Sequence, residues 1–183
     1  YFFEKNLMAM SDYADIRELR DLLLLLVPRI GSPIDITKIS NELGIDRPKL
    51  YRYLAFLQGT FFISLLPKFS RSVDRSVAGG RKVYFSDNGL LNSMGKVNDA
   101  QMLENSVINQ LARFGDISFY NKRNAVEIDA ILNQTTSFKI KLTGSVYDYQ
   151  KLVRASKAIG IKKAYVISKN SVDAPEIIPA AMV

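Results

Sequence analysis

The sequence predicts a mixed α+β protein built from two unlike halves, a helical first half over residues 1–90 and an α/β second half over residues 91–183. In the first half, apolar residues recur every three or four positions between glycine turns, which is typical of amphipathic helices. In the second half, short apolar strands alternate with helical segments, which is typical of an α/β domain. At 183 residues the chain is long enough for one large domain or two small ones.

Three helices are expected in the first half. The first ends at Pro28 and Gly31, and a second short helix covers Ile36–Leu43 with Asp35 as its N-cap. Gly44 supplies a turn before a third helix. The apolar stripe of the first helix consists of Ile16, Leu19, Leu23, Leu26 and Ile30. Helix, glycine turn and helix at this spacing predict a helix-turn-helix.

The third helix is expected to begin after the N-cap Asp46 and to bury three leucines, Leu50, Leu54 and Leu57. Its opposite face would present Lys49, Arg52 and Tyr53. Two strands near Phe61–Leu66 and Lys82–Phe85, joined by a long basic loop, complete a predicted winged helix over residues 12–86.

Basic charge is concentrated in this predicted winged helix. From Arg47 to Lys82 there are eight basic residues and one acidic residue, so this segment alone accounts for the net charge of +7. Such a surface favours a phosphate-backbone partner, and we expect DNA. The residues expected to bind nucleic acid are Arg47, Lys49, Arg52, Arg71, Arg75, Arg81 and Lys82. The alternatives are a solvated basic loop and a winged helix that contacts protein.

In the second half we expect an α/β arrangement in the order helix, three strands, helix and strand. The second of these helices would carry an exposed basic side formed by Lys151, Arg154 and Lys157. The expected elements lie near Asp99–Phe114, Ile117–Asn121, Val126–Leu132, Ser137–Leu142, Tyr147–Ile159 and Ala164–Ser168.

The amino-acid composition excludes several kinds of catalytic and metal-binding site. The chain has neither cysteine nor histidine, so disulfides, thiolate metal sites and histidine catalysis are excluded. Absence of cysteine suits a cytoplasmic location. The longest apolar run, Leu22–Val27, is too short to cross a membrane. No phosphate-binding loop of the GxxxxGK[ST] type occurs, and because the chain begins at Tyr1, we expect it to be part of a longer protein.

The most informative stretch lies on two expected neighbouring strands. Glu127 and Asp129 alternate with apolar residues on one strand, and Lys139 and Lys141 alternate on the next, so each pair shares a face. A carboxylate on one strand and a lysine on its neighbour is an arrangement found in metal-dependent phosphodiesterases. The alternative is an ordinary hairpin with solvated charges.

Together these residues resemble a known family. The chain is similar to the C-terminal region of archaeal and bacterial AAA-type ATPases. The similarity lies in the helix-turn-helix, the segment Lys82–Leu91 (KVYFSDNGLL), the LEN triplet ending at Asn105, the acids of the first strand and the lysines of the second. The resemblance covers nearly the whole chain. It implies a winged helix, a nuclease-like domain of the PD-(D/E)XK (restriction-endonuclease-like) class, and an upstream ATPase domain that would bind ATP.

The resemblance implies roles for particular residues. Glu104 matches the helix acid of the nuclease motif, Asp129 the strand acid and Lys141 the lysine, and Glu104 with Asp129 would hold Mg²⁺ if the site were active. Lys139 stands where an acid is expected. An ammonium about 4 Å from a divalent cation meets about 8 kcal/mol of repulsion at an effective dielectric of about 20. We therefore expect Lys139 to pair with Asp129 or Glu104 and the site to be degenerate and inactive.

Two routes would preserve a metal site: Lys139 swinging away, or Glu127 serving as a substitute ligand. Three functions follow from these expectations. The leading one is a nucleic-acid-binding module, with no cofactor bound to this part of the protein. The others are an active Mg²⁺- or Mn²⁺-dependent DNA endonuclease that uses Glu104, Asp129 and Lys141, and a module that docks onto the ATPase domain or another protein.

Overall fold

The computed structural model describes residues 13–71, 80–122 and 127–183. Within these ranges the protein is a mixed α+β structure with six α-helices and two β-sheets. The helices are α1 (Tyr13–Leu26), α2 (Ile36–Leu43), α3 (Arg47–Gly59), α4 (Asn88–Met94), α5 (Asp99–Leu111) and α6 (Val146–Ala158). The strands are β1 (Ile63–Leu66), β2 (Lys82–Phe85), β3 (Ile117–Tyr120), β4 (Ile128–Leu132), β5 (Thr136–Lys141), β6 (Lys163–Ser168) and β7 (Ile177–Pro179). Short 3₁₀ turns occupy Val27–Arg29, Ala112–Phe114 and Ala180–Met182.

The expected N-caps of α2 and α3 are confirmed. The Asp35 carboxylate accepts a hydrogen bond from the Lys38 backbone N–H, and the Asp46 carboxylate accepts one from Lys49. Between the two helices, Gly44 adopts the left-handed conformation (φ 67°), which glycine takes without a steric penalty. Local chemistry therefore determines where both helices begin and where α2 ends.

Helix α1 buries a slightly different stripe from the expected one. Leu22, Leu26 and Ile30 are buried, whereas Ile16 is 59% exposed, so the predicted inward position of Ile16 is wrong. The helix also stops at Leu26, and Pro28 lies in the 3₁₀ turn that follows.

The smaller sheet pairs β1 with β2 in antiparallel fashion. Next to β2, the segment after α1 adds two isolated bridges, between Ile30 and Val83 and between Pro33 and Lys82. The larger sheet has the order β3-β4-β5-β6-β7, with antiparallel pairing from β3 to β5 and parallel pairing from β5 to β7. Because parallel neighbours require a crossover, α6 connects β5 to β6.

Helices α5 and α6 cover opposite faces of the larger sheet. Val107 and Ile108 of α5 belong to the same apolar cluster as Ile167, whereas Leu152 of α6 clusters with Val166, the neighbour of Ile167 on β6. The first of these clusters also includes residues of α1, α2 and α3. A continuous core thus crosses the predicted boundary between residues 90 and 91.

Polar contacts also join the two halves. Asn105 of α5 is fully buried and pairs with the backbone of Phe85, accepting a hydrogen bond from its N–H and donating one to its C=O, both at 2.8 Å. Beyond β1, the chain runs beside β3, where the Phe69 N–H donates to the Phe119 carbonyl at 2.6 Å and the Phe119 N–H donates to the Pro67 carbonyl at 3.0 Å. The segment 67–69 therefore extends the larger sheet past β3.

Two elements were not expected from the sequence. Helix α4 lies between β2 and α5, where no helix was predicted, and begins at Asn88 with Asp87 as its N-cap. Strand β7 is only three residues long and ends in a proline, so its sequence gives little periodic signal. None of the helices in the described ranges combines the length and apolar content needed to cross a membrane.

Candidate functional site

Three carboxylates and two lysines meet where β2, α5, β4 and β5 approach one another. Glu104 comes from α5, Glu127 directly precedes β4, and Asp129 lies on β4. The lysines are Lys82 of β2 and Lys139 of β5. We call these five residues the acid–lysine cluster. It contains the two acids predicted as metal ligands, and its first lysine comes from the other half of the chain.

Lys82 lies between two of the acids. Its ammonium nitrogen is 2.8 Å from Glu127 Oε1 and 3.5 Å from Glu104 Oε1, and its side chain is only 2% exposed. The ammonium also lies 5.3 Å from the centre of the Phe119 ring. Lys82 was predicted to contact nucleic acid, whereas its ammonium is enclosed by protein and paired with two acids.

Both carboxylate oxygens of Asp129 accept hydrogen bonds. Oδ1 accepts a hydrogen bond from the Lys139 ammonium at 2.7 Å, and Oδ2 accepts one from the backbone N–H of Ile140 at 2.7 Å. Both side chains are largely buried, with 5% exposure for Asp129 and 17% for Lys139. The expected pairing of Lys139 with Asp129 is confirmed.

Glu104 has a second partner on β2. The Tyr84 hydroxyl donates a hydrogen bond to Glu104 Oε1 at 2.7 Å. Tyr84 is fully buried, and burial raises the pKa of its hydroxyl, with the charge of Glu104 adding to the effect. Tyr84 is therefore a neutral donor at physiological pH.

The pKa values of the cluster residues are shifted in different directions. Burial raises the pKa of Glu104, an effect that the ammonium of Lys82 opposes. For Glu127, burial acts in the same direction, but the hydrogen bond from Lys82 outweighs it and the pKa is lowered, with Lys139 and Lys141 contributing. Burial acts to lower the pKa of Lys82, yet the neighbouring acids dominate and raise it. Lys82 therefore remains protonated, whereas burial disfavours the ionised form of Glu104.

A divalent cation does not fit this arrangement. Ammonium groups already lie within 4 Å of all three carboxylates, and a cation placed among them would be repelled by both lysines. Within residues 13–71, 80–122 and 127–183, no group of three or more acidic, histidine or cysteine side chains is arranged to hold a metal ion. Lys141, the residue matched to the motif lysine, is half-buried on β5 beside this group.

The exposed face of α3 forms a second candidate site. Arg47, Tyr51 and Arg52 are exposed there, with Tyr51 at 58%, and neither arginine forms an ion pair with a described residue. We call these three residues the α3 face. Tyr51 was not among the residues predicted to bind nucleic acid, although its position four residues after Arg47 places it on the same side of the helix.

Lys49 and Tyr53 belong instead to a contact between α3 and α1. The Lys49 ammonium lies 3.0 Å from Asp15 and 2.7 Å from Glu18, and the Tyr53 hydroxyl lies 2.6 Å from an oxygen of each acid. Tyr53 is 3% exposed, so its predicted place on the exposed face is wrong. The charge of Lys49 is neutralised by these two acids.

This contact should make stability depend on pH. The hydrogen bonds from Tyr53 and Lys49 lower the pKa of Asp15, and the same donors overcome burial to lower that of Glu18, from ordinary values of 3.8 and 4.5. A lowered folded-state pKa gives stability that is present above the ordinary value and is lost as pH falls through the folded value. We therefore expect the stability difference between the natural protein and Lys49→Met to shrink between pH 6 and pH 3.

Urea unfolding at several pH values measures this difference. Lys38→Met, which removes an exposed lysine from α2, is the matched control and should show little difference from the natural protein at any pH. A Lys49→Met penalty that stays constant down to pH 3 would contradict an ionic contribution from this contact.

The other predicted nucleic-acid contacts are dispersed. Arg81 is exposed just before β2, and Arg71 is exposed beyond the segment that extends the larger sheet. Arg75 lies outside the described residues. Sequence reasoning missed the inward position of Lys82 and Tyr84, although their two-residue spacing on a strand places both on one face.

Comparison with known proteins gives a match to a family model. A family model described as Domain of unknown function (DUF8612) matches residues 2–101. No curated protein and no solved structure matches the chain. The matched region includes α1 to α4 and the smaller sheet, and it extends into the first turn of α5. Because the match covers more than half of the chain, the protein belongs to this family, Domain of unknown function (DUF8612).

Proposed function

We propose that this protein binds double-stranded DNA through the α3 face and that its second half is a nuclease-like domain without hydrolytic activity. The observation that carries the proposal is the exposed pair Arg47 and Arg52 on α3, with no acid among the described residues paired to either. Helix α3 follows α2 and the Gly44 turn, an order compatible with a helix-turn-helix. In a helix-turn-helix, this helix enters the major groove, and arginine contacts both phosphates and base edges.

The smaller sheet supports a winged helix. Strands β1 and β2 follow α3 as an antiparallel pair, and the segment after α1 joins them beside β2. This order of helices and strands is compatible with a wing next to the α3 face. In the proposal, Arg81 adds a contact to the DNA backbone, whereas Lys49 and Lys82 do not participate because acidic partners neutralise both.

The second half supports the nuclease-like part of the proposal. The order helix, three antiparallel strands, helix and parallel strand is the order predicted for this half, and it is compatible with the nuclease-like domain that the resemblance implies. Its carboxylates are neutralised by lysines, which opposes both metal binding and hydrolysis. The resemblance also favours a place for this region downstream of an AAA-type ATPase domain in the cytoplasm, so that ATP would be bound only by that upstream domain.

Salt dependence of duplex binding tests the proposal. We expect a fluorescein-labelled 20-base-pair duplex to bind with an affinity that falls steeply between 50 and 200 mM NaCl, because phosphate contacts release counterions. Arg47→Ala/Arg52→Ala should weaken binding and reduce the slope of log K against log salt by about 2, because each arginine that no longer neutralises a phosphate lowers the slope by about one. Fluorescence anisotropy measures both quantities.

The matched control is Lys96→Ala/Arg113→Ala, which removes two exposed positive charges outside α3. It should reduce the slope much less than the α3 variant does. Equal effects of the two variants would indicate attraction by net charge alone, and weak binding that does not change with salt would reject the proposal. Cleavage of the duplex with Mg²⁺ or Mn²⁺ by the natural protein, but not by Asp129→Ala, would instead support an active nuclease.

A further inference from the structure

A cleft at the β3 edge of the larger sheet shares no lining residue with either site described above. It has a volume of about 500 Å³, within the range typical of small-molecule sites, and lies between the end of α6, strand β3 and the segment that follows β1. Its lining includes two basic side chains, Arg71 and Lys157, and two aromatic ones, Phe69 and Tyr120. The cleft therefore combines positive charge with flat apolar surfaces.

Arg71 is held in place at the cleft. Its guanidinium donates a hydrogen bond to the Ile159 carbonyl at 3.0 Å, which is one of the orphan carbonyls at the C-terminal end of α6. The guanidinium also packs against Gly160, where a Cβ atom would lie only 1.8 Å from Arg71 Nη2. The absence of a side chain at position 160 thus makes room for the arginine.

The positive charges of the cleft have no acidic partner among the described residues. Within the described ranges neither Arg71 nor Lys157 forms an ion pair, and Lys157 continues the exposed basic side of α6 formed with Lys151 and Arg154. An arginine whose guanidinium is only partly engaged by a carbonyl keeps donors for an anion. The aromatic rings offer surfaces on which a base packs, an interaction that tolerates any base.

We propose that this cleft binds a nucleotide, with Arg71 and Lys157 contacting the phosphate and Phe69 and Tyr120 packing against the base. The nucleotide is either free or one unit of a single strand, and the chemistry of recognition is the same for both. This site shares no residue with the α3 face. The proposal therefore goes beyond duplex binding and is tested independently of it.

Four probes test the cleft: AMP, adenosine, inorganic phosphate and a fluorescein-labelled octamer of deoxythymidine. We expect the full chain to bind AMP more tightly than adenosine or phosphate, by calorimetry. Arg71→Ala/Lys157→Ala should weaken AMP and octamer binding at least about tenfold, because charge-assisted hydrogen bonds to the phosphate are removed. Duplex binding at the α3 face should change by less than about twofold in this variant, because the two sites share neither residues nor partners.

Two further variants sharpen the test. Tyr120→Leu should weaken AMP binding about tenfold, because the base no longer stacks on an aromatic ring, while phosphate affinity stays unchanged. Lys96→Ala/Arg113→Ala is the charge-matched control and should bind AMP like the natural protein. Urea unfolding of each variant verifies that its fold is retained.

The outcomes separate the two sources of the nucleotide. If the octamer displaces AMP and binds more tightly per site, a single strand is the ligand, whereas tighter binding of AMP identifies a free nucleotide. Either result supports the proposal. It is overturned if AMP binds no better than inorganic phosphate, or if the Arg71/Lys157 variant binds AMP and the octamer as the natural protein does.

Discussion

Replacing Lys82 by methionine should destabilise the protein by about 3 kcal/mol, because removal of the buried ammonium leaves the largely buried Glu104 carboxylate without its counter-charge. Methionine keeps the chain length and apolar stem of lysine, so the change removes the ammonium with little loss of volume. The largest penalty falls on Glu104, whose pKa is already raised by burial. Glu127 contributes less, because its side chain is 40% exposed and water screens its charge.

Urea unfolding at pH 7 measures the effect, with Lys162→Met as a control that removes an exposed lysine. Part of the lost stability should return in Lys82→Met/Glu104→Gln, because the acid that is left unpaired becomes neutral. The interaction energy from this double-mutant cycle measures the coupling of the two residues directly. A Lys82→Met midpoint equal to that of the control would mean that the acid–lysine cluster does not stabilise the fold.

The second large effect concerns metal affinity. The natural protein should show no calorimetric Mn²⁺ binding at micromolar concentrations, because Lys82 and Lys139 occupy the space among the acids. Lys82→Gln/Lys139→Glu should gain at least about 100-fold in Mn²⁺ affinity. The change removes two ammonium groups, each costing several kcal/mol near a divalent ion, and supplies an additional carboxylate, while each 1.4 kcal/mol recovered gives a tenfold gain.

Lys82→Gln/Lys139→Ala separates the two contributions, since it removes both ammonium groups without adding a ligand and should gain less. Lys162→Gln/Lys163→Glu makes the same charge change at exposed positions and should leave metal affinity unchanged. Micromolar Mn²⁺ binding by the natural protein that is lost in Asp129→Ala would contradict the interpretation of the cluster as neutralised. It would then favour the metal-dependent nuclease.

Much of the fold could be predicted from the sequence because the signals are local. The caps at Asp35 and Asp46 and the glycine turn at Gly44 act over three or four residues, so α2 and α3 start where expected. Likewise, charge alternating with hydrophobes identified β4 and β5. Strand β7 and helix α4 were missed because they are short, and short elements depend on tertiary contacts more than on periodicity.

The candidate site was only partly predictable, for a similar reason. Pairing of Lys139 with Asp129 follows from adjacent strands, and it was expected. Lys82 lies 45 residues before Glu127 in the sequence, and its basic neighbours made it resemble a surface residue. The packing of β2 against α5 and β4 places Lys82 in the interior instead of on the surface. The same holds for Lys49 and Tyr53, whose acidic partners come from α1.

The pairing of residues 67–69 with β3 determines where this protein can be truncated. A gene cut at codon 90 would yield a C-terminal polypeptide in which β3 loses its hydrogen-bonded neighbour and becomes an open edge, a template for aggregation. The same polypeptide would carry Glu104 and Glu127 without their shared counter-ion. Truncations and chimaeras should therefore keep residues 63–85 together with the C-terminal sheet.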